Sequence, residues 1–301
     1  MNGKATSLKS AIGDFMARNG VPGEMEQNLV KEAIHLHLLS ALSDAGILRK
    51  VVFQGGTALR LCYGGERYSE DLDFVCGTSG SYLDKVEFEK LMSGVLEAAK
   101  HSLQREFDMA SENIALKQPH HPMAIKGKLL TIAAWQIVVP IASTPHSPKS
   151  RIKVEFANVP SYDHSPRLAR VTPGLVQIQD VILAVESPNE ILSDKAVALT
   201  AREALKYRDV WDVWFLTNKL GAESNRDVVR KKFADYGTKD VDTKARRRLE
   251  ELAMPSTAKS FLAEMKRFLP AKRVAEMTDA GLHRAILVES ADLIRRAVLS
   301  K

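Results

Sequence analysis

Residues 53–75 read FQGGTALRLCYGGERYSEDLDFV. Upstream, Val51-Val52-Phe53 is a short β-rich run that stops at Gly55-Gly56. TALRLCYG then has helical spacing, with Leu59, Leu61 and Cys62 apolar, and Gly64-Gly65 ends it. From Glu70 to Val75 the residues alternate as in a strand. The order is strand, turn, helix, turn, strand. In the second strand Asp71 and Asp73 point to one face, while Leu72 and Phe74 point to the other. Two carboxylates that close repel each other and are costly to bury. A divalent cation removes the problem, and Mg²⁺ takes one or two protein carboxylates and completes its shell with water and phosphate oxygens. The plain alternative is a surface turn followed by an exposed strand.

Further along, TIAAWQIVVPIA (131–142) is rich in β-formers and STPHSPKS (143–150) is a turn-rich connection with two prolines. RIKVEFA (151–157) then alternates strictly, with Ile152, Val154 and Phe156 on one face and Arg151, Lys153 and Glu155 on the other. The two runs predict a hairpin. If its second strand lies beside the Asp71 strand, Glu155 joins Asp71 and Asp73 on one patch. Three acids in that arrangement suit two-metal phosphoryl or nucleotidyl transfer. Gly55-Gly56-Thr57 fits the same picture. Glycines let the backbone approach a phosphate, amides at a helix start bind anions, and Thr57 offers its hydroxyl.

The chain on either side is mostly helical. Residues 1–50 and 85–107 have helical periodicity, and a further strand is expected over 181–185. Ser187-Pro188-Asn189-Glu190 has the form of a capping box, which starts a helix expected to reach about Ala204. Lys195 lies about two turns into it, among Ile191, Leu192, Ala196, Val197 and Leu199, so it either snorkels or points at an anion. The next helix is YRDVWDVWFLTNKL (207–220), and the helices beyond it are broken at Gly237 and Pro255. Asp209 and Asp212 share a face of that helix. They orient Lys195 or an arginine facing a partner, or else only pair with Arg208 or Lys206. Arg67 meets either phosphate or Asp71. Trp135, Trp211 and Trp214 are expected in the core. His35, His37 and His101 lack metal-ligand spacing.

A length of 301 residues allows two domains or one large one. With 45% hydrophobic and 27% charged residues the composition is that of a globular protein. Cys62 and Cys76 are too few for a disulfide framework and are expected as reduced core residues. Neither a secretory signal nor a membrane span is evident, so a soluble cytoplasmic protein is expected. The net charge of +6 is uneven. Residues 1–200 carry 21 Lys and Arg against 22 Asp and Glu, whereas residues 201–301 carry 22 against 15. The basic last third points to a polyanionic partner or to a solvated helical surface. Within it, Lys244-Ala245-Arg246-Arg247-Arg248 places four cations in five helical residues, which cannot share one face.

GGTALRLCYGGERYSEDLDF, RIKVEF, SPNEILSDKAVALTARE and YRDVWDVWFL together resemble the AbiEii/AbiGii-type (MenT-like) toxin nucleotidyltransferases, a branch of the nucleotidyltransferase superfamily. The resemblance spans roughly residues 51–216. It implies an NTP-dependent enzyme requiring Mg²⁺ (or Mn²⁺), a growth-inhibiting toxin encoded beside an antitoxin, and addition of nucleotides to the 3′ end of tRNA or another RNA. By position it implies Gly56 and Thr57 in the phosphate-binding turn, with Ser69 next to the site. Asp71, Asp73 and Glu155 are implied as metal ligands, Lys195 as the lysine on the triphosphate, and Asp209 as the acid of the late Arg-Asp-x-x-Asp motif. The expected fold is α/β. A nucleotidyltransferase core with a mixed sheet flanked by helices occupies residues 1–185, and a helical basic domain over 186–301 completes the active site. Two rivals stand beside this. Asp-x-Asp strands also hold the metal in some nucleotide-sugar glycosyltransferases, against which Gly55-Gly56-Thr57 and Lys195 speak. A non-catalytic nucleic-acid-binding protein that kept the fold is the other, against which the retained acids speak.

Overall fold

A computed structural model describes residues 8–78, 82–107, 123–125, 128–130, 132–140 and 149–299. The alternating segments assemble into one mixed six-stranded sheet. Its strands are β1 (Val52–Gln54), β2 (Asp71–Thr78), β5 (Ile132–Pro140), β6 (Lys149–Ser161), β7 (His164–Ala169) and β8 (Val181–Glu186), in the spatial order β5-β6-β2-β1-β8-β7. The short strands β3 (Met123–Ile125) and β4 (Lys128–Leu130) pair only with each other. β5 and β6 form the expected antiparallel hairpin. β2 runs antiparallel to β1 and parallel to β6, and β1 runs parallel to β8.

One face of the sheet is apolar. Phe53, Phe74 and Phe156 are register neighbours on β1, β2 and β6, and their rings form a row with centroids 5.1 and 4.8 Å apart. The helices α1 (Leu8–Asn19), α2 (Glu26–Asp44) and α4 (Lys85–Phe107) contribute Ile12, Ile34, Leu39, Phe88 and Leu103 to the same core. This matches the helical periodicity of both segments. α3 (Gly55–Tyr63) follows β1 without a break and ends at Gly64, whose φ of 75° suits glycine.

A second core forms among α5 (Pro188–Ala201), α6 (Tyr207–Leu220), α7 (Arg226–Asp235), α8 (Val241–Ala253), α9 (Pro255–Met265), α10 (Ala271–Asp279) and α11 (Leu282–Ala297). Trp211 and Trp214 are buried in it; the Trp135 side chain lies outside the described residues. Cys62 and Cys76 are buried free thiols.

Three local expectations need correction. α5 stops at Ala201 because Arg202 turns extended, with ψ at 142°. Glu190 does not complete a capping box. Ser187 caps the helix by accepting from the Glu190 amide, but the Glu190 carboxylate turns inward and accepts from Ser161 Oγ and the amides of Tyr162 and Asp163. And the arginine run is split: Arg246 and Arg247 are exposed, but Arg248 is fully buried. The Arg248 guanidinium donates to the carbonyls of Leu199 and Arg202, both at 2.6 Å, so it satisfies the end of α5 rather than facing a partner. β7 is not evident in the sequence, since Pro166 and the exposed Arg167 and Leu168 hide it; a sheet edge tolerates all three. Among the described residues, no helix is long and apolar enough to cross a membrane.

Candidate active site

The polar face of the sheet opens into a cavity of about 410 Å³ between the strands and the helices that follow. Its floor comes from β2 and β6. In their parallel register Asp73 lies opposite Glu155, and Asp71 lies opposite Lys153. Period-two alternation therefore puts three carboxylates and one ammonium on a single patch. Gln54 of β1 pairs opposite Asp73 and lines the same space.

The turn closes against this floor. Gly55 has φ of 78°, and a Cβ there would stand 2.7 Å from Asp73 Oδ2. A Cβ on Gly56 would collide with Arg67 Nη2 and come within 3.0 Å of Ser69 Oγ. Both positions demand glycine on grounds of space, and the first on backbone conformation as well. Gly56 and Ser69 line the cavity. Thr57 does not: its hydroxyl donates to the Asp71 carbonyl, tying the helix start to the acidic strand instead of offering that hydrogen outward.

The wall comes from α5 and α6. Lys195 Nζ lies 2.7 Å from both Asp209 Oδ1 and Asp212 Oδ2. Arg67 makes a bidentate pair with Asp212, both bonds at 2.6 Å, and donates to the Tyr68 carbonyl. Arg202 pairs with Asp209 at the mouth, and Arg208 reaches Glu70 and Asp71 at 3.3 Å each. Thus Asp212 pairs with neither Arg208 nor Lys206, and Arg67 is committed to an acid 145 residues away. Lys195 and Asp209 line the cavity. Glu70, beside Asp71, is also held by Lys31 of α2, and its carbonyl lies 3.2 Å from His35 Nε2.

Electrostatics separates floor from wall. Burial would raise Asp209 and Asp212, but the adjoining Lys195 with Arg202, and Arg67 with Lys195, override it and hold both carboxyls below their usual range. Burial would lower Lys195, yet the two aspartates hold it above its ordinary value. On the floor burial prevails. It pushes Asp73 up to about 7, helped by the charges of Glu155 and Asp71, and it raises Asp71 despite Arg208. Among the described residues no group donates a hydrogen bond to the Asp73 carboxylate, and the Glu155 carboxylate pairs with Lys153.

The donor set fits a hard divalent cation: only carboxylate oxygens, on adjacent strands, with one left unpaired. Asp71, Asp73 and Glu155 would hold it. A tighter triple, Glu186, Glu190 and Asp194, has oxygens within 4.8 Å of one another, but Lys232 Nζ already sits among them at 3.4, 2.8 and 2.7 Å. That lysine bolts α7 to β8 and α5, which places Tyr236 and Thr238 on the cavity rim.

The sequence assigns no site role to Lys153, Arg202 or Arg208, though two of them carry signals. The alternation of RIKVEF puts Lys153 on the Glu155 face, and Arg208 opens the Arg-Asp-x-x-Asp motif. Nothing local marks Arg202.

The sequence model for the family described as nucleotidyl transferase AbiEii toxin, of a type IV toxin–antitoxin system, matches residues 37–280. No curated protein sequence gives a significant match. Among solved structures, MenT4, a nucleotidyltransferase toxin from Mycobacterium tuberculosis, superposes with a TM-score of 0.52 at 16% identity, covering 96% of this chain and 94% of its own. JHP933 from Helicobacter pylori gives a TM-score of 0.43 at 16% identity, covering 90% of this chain and 94% of its own.

Proposed function

The chain belongs to the AbiEii family of nucleotidyltransferase toxins, and from that membership we propose that it transfers NMP from an NTP to an RNA 3′-hydroxyl, the end of a tRNA, in the cytoplasm. The observation that carries this is the β2–β6 register, which sets Glu155 beside Asp73 on the floor of a cavity rimmed by cations.

In this reading Mg²⁺ or Mn²⁺ held by Asp71, Asp73 and Glu155 supplies charge neutralisation for the attacking and leaving oxygens. The amides at the start of α3, freed of side chains by Gly55 and Gly56, receive a phosphate, with Ser69 beside them. Lys195, held rigid by Asp209 and Asp212, gives a fixed positive charge at the wall, and Arg208 and Arg202 extend it toward the mouth. The RNA 3′-oxygen attacks the α-phosphorus and the bond to the bridging oxygen breaks. Pyrophosphate leaves, and Glu155 helps take the hydroxyl proton. The chain mainly positions reactants and balances charge. Residues 1–185 and 186–301 act as two domains that contribute floor and wall respectively. A cognate antitoxin is the expected protein partner.

The test is incubation with total tRNA and each labelled NTP in Mg²⁺. Label on the tRNA 3′ end, removable by added pyrophosphate, is the expected result. Label on protein, on sugar or nowhere with any of the four NTPs would overturn the reading.

A further inference from the structure

Among the described residues, Lys153 is the cavity cation that rises from the floor strands themselves. It stands opposite Asp71 on the neighbouring strand and two residues before Glu155, on the same face. Its ammonium pairs with Glu155, and among the described residues that is its one ion pair. Its side chain is 40% exposed, against 9% for Lys195 and 4% for Arg67. Lys195 and Arg67 are buried and cannot leave their places without stripping a cation from a buried aspartate, and Arg202 at the mouth is anchored to the wall rather than to the strand acids. Arg208 is anchored by Glu70 as well as Asp71. Lys153 has a flexible stem, a partly solvated head and a single anchor, and that anchor is an acid assigned to the metal.

The charges make this placement consequential. Asp71, Asp73 and Glu155 put up to three negative charges on one patch, and Lys153 supplies the neutralisation that reaches Glu155. A divalent cation at the same carboxylates replaces that neutralisation and repels the ammonium. In the proposed reading the cavity also takes the nucleotide's polyphosphate, an anion that the displaced ammonium can meet.

We infer that Lys153 is an exchangeable counter-ion. It occupies the acidic floor when no divalent cation is bound, and it passes to the nucleotide's phosphates when one is, so that metal and nucleotide each tighten the binding of the other. The inference rests on the reading of this cavity as a metal–NTP centre. The coupling is reciprocal, as linked binding must be.

The experiment measures Mn²⁺ affinity by electron paramagnetic resonance, with and without a non-transferable α,β-methylene NTP. It uses the full chain, Lys153→Met, Lys153→Arg and Asp73→Asn. Lys153→Met should bind Mn²⁺ alone about fivefold tighter, because a partly exposed competing ion pair is gone. It should also bind the nucleotide about fivefold weaker once Mn²⁺ is present, so that the mutual enhancement shrinks. Lys153→Arg should restore the nucleotide arm. Opposite signs in the two arms are the signature, since a merely structural defect weakens both. Mn²⁺ affinity unchanged or reduced in Lys153→Met overturns the counter-ion role, and tighter Mn²⁺ with unaltered nucleotide affinity overturns the hand-over. If Asp73→Asn keeps full Mn²⁺ affinity, the metal assignment itself falls and the inference falls with it.

Discussion

On the helical wall of the cavity, Asp209 and Asp212 are each met by two cations, whereas on the strand floor Asp73 is met by none among the described residues. Both regions bury carboxylates, yet burial pushes Asp71 and Asp73 on the floor up in pKa and the wall acids stay below their usual range. A wall whose charges are already paired needs no reorganisation when a ligand arrives, which is how preorganised electrostatics lowers barriers. An underbalanced floor stores repulsion that a ligand of opposite charge relieves. In the proposed reading, the contrast suits the wall to positioning and the floor to capturing a cation.

The sharpest way to break the contrast is Asp73→Asn. The side chain keeps its shape and loses the charge, so nucleotidyl transfer should fall about 100-fold or more. Near-normal turnover in Mg²⁺ would remove Asp73 from the centre of the floor.

Arg67→Met attacks the wall. It removes both 2.6 Å bonds to Asp212 and leaves that acid with Lys195 as its remaining cation. Stripping one partner from a buried pair should cost about 3 kcal/mol, read as a lower urea midpoint at unchanged slope. An unaltered midpoint would mean that the wall is not locked by this pair. By the same logic Lys195→Ala would leave Asp209 with Arg202 and Asp212 with Arg67 as their remaining cations, so its effect on nucleotide binding must be read together with its stability.

The pH dependence of stability sharpens the comparison further. Asp73 has a folded pKa of about 7, above the unfolded carboxyl value, so the folded state favours its protonated form. That favourable contribution is complete below about pH 4 and is lost as pH rises through 7. Without divalent cation, Asp73→Asn should therefore gain on the native chain as pH goes from 5 to 8, by about 2 kcal/mol. A difference independent of pH would show that the floor is not underbalanced. Asp209 and Asp212 run the other way: their folded pKa values are depressed, so their contribution is present above the unfolded carboxyl value and is lost only as pH falls below it.

The smallest effect is expected at Arg246 and Arg247, which lie on the surface and outside both regions. Changing both to Ala should leave the melting temperature alone and reduce the salt slope of tRNA binding by about one unit for each phosphate no longer neutralised. An unchanged slope would take this helix out of the RNA surface. Arg248 must be left intact in that experiment, because its buried guanidinium caps α5.

Much of the fold is legible because its signals are local. The bounds of α4 and α6 follow their apolar periodicity, and Gly64 and Ser187 mark a helix end and a helix start. Where a side chain has a distant alternative, local signals mislead. Glu190 has the spacing of a capping box, but the turn at 161–163 offers it three donors. The Arg248 position looks like part of a surface run, but the open carbonyls at the end of α5 draw it inward.

Spacing alone establishes that Asp71 and Asp73 share a face, that Lys153 and Glu155 share another, and that a glycine turn and helix precede the acids. These follow from the two-residue period of a strand and the conformational freedom of glycine. It takes packing to bring β6 beside β2 with Glu155 opposite Asp73, to commit Arg67 to Asp212, and to turn Thr57 toward the backbone. Strand register and buried ion pairing are settled between segments far apart in the chain, and no spacing within either segment records the outcome.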